Sequence, residues 1–534
     1  MIPTAEGPTL CAMGDNRHRP REDGRPEALA GQGPTALPSD VLGLPLAAWC
    51  IAAGTLGLLL VVAAGYGFHR DELYFILAGR HPDWGYVDQP PLTPLLSAAG
   101  VALLGLSPVS VRLLPGIVAA GVVILTADLA RRFGAGRLGQ ALAALVLAVS
   151  GWLGAGHLDV TVTYDIFFWT LGLWLLVPLL AASNGGSSER WRWLAVGLVA
   201  GVALENKTLA VSLMGTVALG LVLLRRTDIL RERWPWLAGL VALAIWSPNL
   251  IWQAQHDFPQ LAMARSIAAD QGPGIDGRLK AIVQLIAIAG PLLFPVSIAG
   301  TVWLCRARRS QNWRPLGVAV LLQLGLMLVL DGKSYYSAGF LPLVIAAGAV
   351  PLEGWLGRGR TVWRRATFGL ATVASGATVA LIMLPIVPVG ALHSTPIPDL
   401  YAESIAQVGW PGLAAEVGRV AASLPVAEQT HAAIVTETYG EYAALALLGT
   451  DLPPVYSGHN STWDWGQPPA GAGPVILVAF DEREATADFA GCRVAVTLDN
   501  GYDLATQEQG QPVWICEGPR VAWQTLWPRI RHIN

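Results

Sequence analysis

Residues 57–74 read GLLLVVAAGYGFHRDELY, an apolar run that ends abruptly in His69, Arg70, Asp71 and Glu72. A hydrocarbon core takes roughly 20 mostly apolar residues per helix, and this run reaches back to residue 43, so the stretch reads as a membrane span and its exit. Windows of the same kind recur along the chain as far as residue 386, giving about eleven spans. Composition agrees. Of 534 residues, 53% are hydrophobic and 14% charged, against about 25% charged in a soluble domain. A disordered chain, a coiled coil and a nucleic-acid binder are excluded, and five cysteines in such a length are no disulfide framework. The expected fold is an all-α polytopic membrane protein.

The loops set an orientation. Alternating from a cytoplasmic N-terminus, the inner loops hold Arg131, Arg132 and Arg137, then Arg190 and Arg192, then Arg225, Arg226, Arg231 and Arg233. Arg306, Arg308, Arg309 and Arg314 follow, then Arg358, Arg360, Arg364 and Arg365. This positive-inside pattern places the N-terminus in the cytoplasm and the C-terminus outside the cell (inner) membrane. Residues 1–41, rich in Pro, Gly and Arg, are expected to be a disordered cytoplasmic tail without the apolar region of a signal peptide. Residues 42–387 form the transmembrane domain. Its first outer loop, 69–108, carries the apolar runs Leu73–Ala78 and Leu92–Leu106, expected to lie as interfacial helices.

From residue 388 to 534 the pattern changes. Ile434–Thr436 and Pro474–Phe480 read as strands and Leu413–Ser423 as a helix, with Gly and Pro turns between, so a small extracytoplasmic α/β domain is expected. Cys492 and Cys516 lie in it. A bridge and a free pair are both open, because spacing alone fixes no geometry.

Three groups of residues carry candidate chemistry. Asp71 and Glu72 sit where a helix leaves the bilayer, a costly place unless solvated or paired. A solvated helix end with Arg70 as partner accounts for them, and so does a general base at the membrane surface with a neighbour that orients an acceptor or cation. His157, Asp159 and Asp165 form a second acidic group. Asp165 enters an apolar helix, which marks either a functional site or a carboxylate favoured by the helix dipole. Two ligands such as His157 and Asp159 are too few to argue a metal. The third group is lysine: only Lys207, Lys280 and Lys333 occur, all on expected outer segments, in a chain that otherwise uses Arg. Lys207 and Lys333, at similar depth, suit a phosphate as point charges, though two unrelated snorkelling lysines would look the same.

Other motifs carry nothing. Gly134 to Gly139 fits G-x-G-x-x-G but follows a span rather than a strand, so it is a turn. No Walker A sequence and no Asp-x-Asp for a nucleotide-sugar are present.

The stretch His69-Arg70-Asp71-Glu72-Leu73-Tyr74-Phe75, with Trp84-Gly85-Tyr86-Val87-Asp88-Gln89-Pro90-Pro91-Leu92, resembles the first outer loop of the GT-C membrane glycosyltransferases. The group it is most similar to is the bacterial branch related to dolichyl-phosphate-mannose protein mannosyltransferases and aminoarabinose transferases. Asp165 in Thr-x-Asp-x-x-Phe-Trp, Lys207, and Lys333 with Tyr335 and Tyr336 look similar to further family positions. Tyr439-Gly440-Glu441, Ser457-Gly458-His459-Asn460-Ser461 and Trp465-Gly466 resemble the tail of a subset. The tail does not look like the sugar-binding module of the eukaryotic mannosyltransferases, so no protein acceptor follows.

The resemblance implies transfer of a hexosyl or pentosyl group from a polyprenyl-monophosphate donor to a lipid, glycan or protein acceptor on the outer face, with inversion. It implies Asp71, Glu72 and Asp165 as catalytic residues, with Asp71 the base. Lys207, Lys333, Tyr335 and Tyr336 would meet the donor phosphate, and Asp88, His69 and Asp159 the acceptor or sugar. No cofactor is required by this reading, and a divalent cation stays open. The competing class is a secondary transporter or lipid flippase, which predicts functional residues at the bilayer midplane and broken helices there. Here the candidate residues gather at one face and no internal repeat is visible.

Overall fold

A computed structural model of the chain describes residues 40–41, 43–182, 190–270, 275–330, 334–359 and 361–533. The tail expected over residues 1–41 falls almost wholly outside these. The apolar run of the first span forms helix α1 (Leu46–Val62) and the helix stops short of the run's end before His69, because Gly65 and Gly67 turn the chain, the latter at φ 101°. Helix α2 (Arg70–Arg80) follows, then α3 (Leu92–Leu104) and α4 (Pro108–Arg132). The start of α4 has the expected signals. Ser107 accepts a hydrogen bond from the Ser110 amide at 3.2 Å, and Pro108, with no N–H to satisfy, takes the first helical position.

Six helices among the described residues are long and apolar enough to cross a membrane: Pro108–Arg132, Thr161–Ala181, Arg233–Gln255, Arg308–Val329, Tyr335–Leu356 and Thr361–Met383. Thr161–Ala181 is α5. Five further apolar helices are 10–17 residues long. One cause of the shortfall in length is visible in the apolar stretch after Arg137, which breaks into Arg137–Ala148 and Trp152–His157. At the break the Gly151 amide donates to the Ile288 carbonyl at 2.8 Å, so another segment's backbone comes close enough to interrupt the helix. A hydropathy window cannot register such an approach. Elsewhere, a Cβ at Gly300 would run into the Val344 carbonyl and one at Gly348 into that of Val296. The helices Phe294–Arg306 and Leu341–Leu356 therefore cross at backbone distance.

Past the last long helix come α6 (Trp410–Ala422), α7 (Tyr439–Leu448) and a five-stranded sheet. Its strands are β1 (Ala433–Thr436), β2 (Val455–Ser457), β3 (Val475–Val478), β4 (Arg493–Thr497) and β5 (Pro512–Cys516), in the order β2-β1-β3-β5-β4. β1 pairs in parallel with β2 and β3, while β5 runs antiparallel to β3 and β4. Every residue of β1 and β3 is buried, as expected for central strands covered on both faces. Cys492 and Cys516 are bonded, with an S–S distance of 2.08 Å.

The arrangement that matters for the site is the docking of α2. Leu73, Phe75, Ile76 and Leu77 are buried in one cluster with Trp410, Leu413, Ile434 and Leu445. The first outer loop thus shares a core with the sheet region.

Candidate active site

The site begins with the cap of α2. His69 Nδ1 accepts from the Asp71 amide at 3.1 Å, and Glu72 Oε2 accepts from the His69 amide at 2.8 Å. This reciprocal cap satisfies two N–H groups that an α-helix otherwise leaves open. Capping requires a bare Nδ1, so the imidazole proton sits on Nε2, 2.8 Å from Glu403 Oε2.

The adjacent carboxylates then part company. Glu72 is fully buried and forms a two-pronged pair with Arg112 of α4, both bonds at 2.8 Å. Arg112 also donates to the carbonyls of Ala63 and Gly67 and to Gln407 Oε1. A planar guanidinium suits this many fixed acceptors. Glu72 Oε1 further accepts from the Asp159 amide at 3.0 Å. Asp71 instead keeps 29% of its side chain exposed. Its Oδ1 accepts from the Tyr439 hydroxyl at 2.8 Å, with Arg70 Nε 3.6 Å away.

Asp88 lies close to Asp71. Tyr74 donates to Asp88 Oδ1 at 2.8 Å, and the rings of Tyr74 and Tyr439 stand 4.8 Å apart. Two phenols thus each hold one carboxylate. Burial pushes the Asp88 carboxyl up to about 7, opposed by the Tyr74 hydrogen bond and reinforced by the Asp71 charge. Asp159 is buried behind Glu72, where Ser97 and Tyr164 donate to it at 2.5 and 2.6 Å. Burial pushes it up to about 7 as well, against those two hydrogen bonds. His157 is buried with Nε2 3.3 Å from Arg112 Nη1.

The lysine group is next. Asn206 accepts from Thr93 Oγ1 at 2.6 Å and donates to the Thr161 carbonyl at 3.0 Å, tying α3 to the start of α5. The following residue, Lys207, sits with Nζ 3.5 Å from Thr161 Oγ1, 4.9 Å from the Tyr335 ring and 5.7 Å from that of Tyr336. Asp165 is buried on α5, within reach of the Lys207 charge. Lys333 lies outside the described residues. Lys280 is exposed on the helix Ile275–Ile288. Among the described residues, no three His, Cys, Asp or Glu side chains converge as a metal-ligand set.

Sequence reasoning misses Arg112 and Glu403. Arg112 carries a signal, a charge inside an apolar window. Glu403 carries none, because it meets His69 across 334 residues. Tyr439 and Ser461 stand in tail motifs to which the sequence assigns no role.

Residues 88–252 match the family model described as dolichyl-phosphate-mannose-protein mannosyltransferase. No curated protein matches the chain in sequence. The fold is similar to that of ArnT from Cupriavidus metallidurans bound to undecaprenyl phosphate, at TM-score 0.60 and 15% identity, over 88% of this chain and 97% of that one. The apo state of the same protein gives 0.58 and 14% over the same shares. The oligosaccharyltransferase AglB from Archaeoglobus fulgidus gives 0.48 and 11%, over 77% of this chain and 64% of that one.

Proposed function

From a multi-pass membrane chain with the GT-C fold and a segment of the dolichyl-phosphate-mannose-protein mannosyltransferase type, we propose a glycosyltransferase that uses a polyprenyl-monophosphate sugar as donor. The observation that carries this reading is the contrast between two adjacent carboxylates: Glu72 locked by Arg112, and Asp71 partly open beside Tyr439.

In the proposed reaction the acceptor hydroxyl oxygen attacks the anomeric carbon and Asp71 takes its proton. The bond from that carbon to the phosphate oxygen breaks, and polyprenyl phosphate leaves with the electron pair. Attack opposite the leaving group inverts the centre. A phosphate needs no proton to leave if cations meet its charge, the part assigned to Lys207, Lys333, Tyr335 and Tyr336. Asp88 and Asp165 position the sugar or acceptor, and His69 and Asp159 support that surface. Glu72 holds the frame. The undecaprenyl phosphate bound to ArnT, a protein of similar fold, supports the donor class. The arginine-rich alternate loops and the Cys492–Cys516 bridge, a bond of oxidising compartments, support an outer-face site.

The test is donor turnover by the purified protein in lipid, with labelled polyprenyl-phosphate sugars, an envelope extract as acceptor source, and Asp71→Asn alongside. Consumption of one donor that depends on Asp71 is expected, and a chelator arm tests for a divalent cation. A folded protein that turns over nothing across the panel, or an Asp71→Asn protein that works at the parental rate, would sink the assignment.

A further inference from the structure

The loop that carries Asp88 is not held by the first outer loop alone. The Val87 amide donates to Ser461 Oγ at 2.8 Å, across 374 residues of chain. Ser461 is buried and also lies beside the Tyr74 phenol, which donates to Asp88. One hydroxyl therefore meets both the backbone next to Asp88 and the side chain that holds its carboxylate.

Ser461 has a support of its own. The Asn460 amide donates to the His532 carbonyl at 3.0 Å and the His532 amide to the Gly458 carbonyl at 3.1 Å. The His459 and His532 rings stack at 4.5 Å. A Cβ at Gly458 would run into the Ile530 carbonyl, so the approach of the two segments requires glycine there. Further along, Trp463 and Trp527 each donate an indole N–H to the other's carbonyl, at 2.9 and 3.2 Å. Trp465 stacks on His81 at 4.6 Å, at the other end of the Asp88 loop.

We propose that Ser461 is a positioning residue for Asp88, and that the segment 530–532 is the strap that keeps it in register. The assigned work of Asp88 on sugar or acceptor rests on the function proposed above. The placement of the loop by Ser461 does not, and the test separates them.

The measurement is hydrogen–deuterium exchange on the full chain in lipid nanodiscs, comparing the parent, Ser461→Ala, and a chain ending at Arg529. A buried amide that loses its acceptor exchanges by local opening. Faster exchange in peptides covering 84–91 is expected in both variants, with 433–436 and 475–478 unchanged. The combined variant should be no faster than the faster single one, since both act through one contact. Unchanged exchange at 84–91 in either variant overturns the proposal. So does acceleration that spreads through the sheet, which would make Ser461 a fold residue only. Once a donor is identified, Ser461→Ala should raise one substrate's KM by roughly five- to thirtyfold, the span of one lost hydrogen bond, with kcat within a few-fold. An unchanged KM would show that the loop's placement does not serve the reaction. If no donor is turned over, the exchange result still stands.

Discussion

The Tyr439 hydroxyl and Asp71 Oδ1 meet at 2.8 Å across 368 residues of chain, so the partly open carboxylate of the first outer loop is held by a residue of the sheet region. Tyr439→Phe keeps the ring between Tyr74 and His459 and removes only the hydroxyl. A hydrogen bond to a charged group is worth about 1.5–3 kcal/mol, so kcat should fall by roughly ten- to hundredfold. Asp71→Asn should cost roughly 10²–10⁴ or abolish turnover. Single-turnover rates on protein of parental monodispersity check both.

Lys207→Ala should weaken donor use more than the chemical step. The ammonium sits over the Tyr335 ring beside Thr161, and the loss of this charge is expected to raise donor KM by about tenfold. Lys207→Arg should not restore it, because a planar fork cannot occupy the place of a compact point charge. Donor titration at saturating acceptor reads the difference.

The Glu72–Arg112 pair is shut off from solvent, its side chains 0% and 1% exposed. Arg112→Ala strands a buried carboxylate and should cost about 3–5 kcal/mol. Arg112→Lys should fail nearly as badly, since one ammonium cannot serve Glu72, Ala63, Gly67 and Gln407 together. Adding Glu72→Gln to Arg112→Ala should recover part of the loss. Thermal unfolding in detergent separates the three.

Asp159 gives a pH dependence with a defined sign. Its carboxyl is pushed up to about 7 in the folded chain by burial, against about 3.9 when unfolded. Below about pH 4 both states are protonated and the group contributes no slope. Between about 4 and 7 the folded state keeps a proton that the unfolded state has lost, so stability falls as pH rises, and above 7 it levels. Asp159→Asn should remove this component. The difference in midpoint temperature between pH 4.5 and pH 7.5 should therefore shrink; a difference equal to the parent's would show that the group does not titrate so.

Much of this was legible because it is local. Span periodicity and the strands at 433–436 and 475–478 follow from neighbours in sequence. The grouping of Lys207 with Tyr335 and Tyr336 came with the family resemblance, and His69 to Glu72, read as the end of a span, instead open helix α2. What escaped is pairwise and distant. Arg112 announced itself as a charge in a span, but its partner Glu72 lay 40 residues back. Glu403 on His69, Tyr439 on Asp71 and Ser461 on Val87 leave no periodic trace. The break at Gly151 depends on Ile288, a residue no window around 151 contains.

The pairing of residues 458–460 with His532 has a consequence for biosynthesis. Helices α1, α4 and α5 can enter the bilayer while translation continues, yet the loop before Pro90 waits for a partner made hundreds of residues later. Closing so long a loop is slow relative to local helix formation. During that interval Asp71 lacks the Tyr439 hydroxyl and the Val87 amide lacks Ser461, while Tyr74, in the same loop, already reaches Asp88. The contacts made by Tyr439, Ser461 and His532 are therefore among the last to form around this loop.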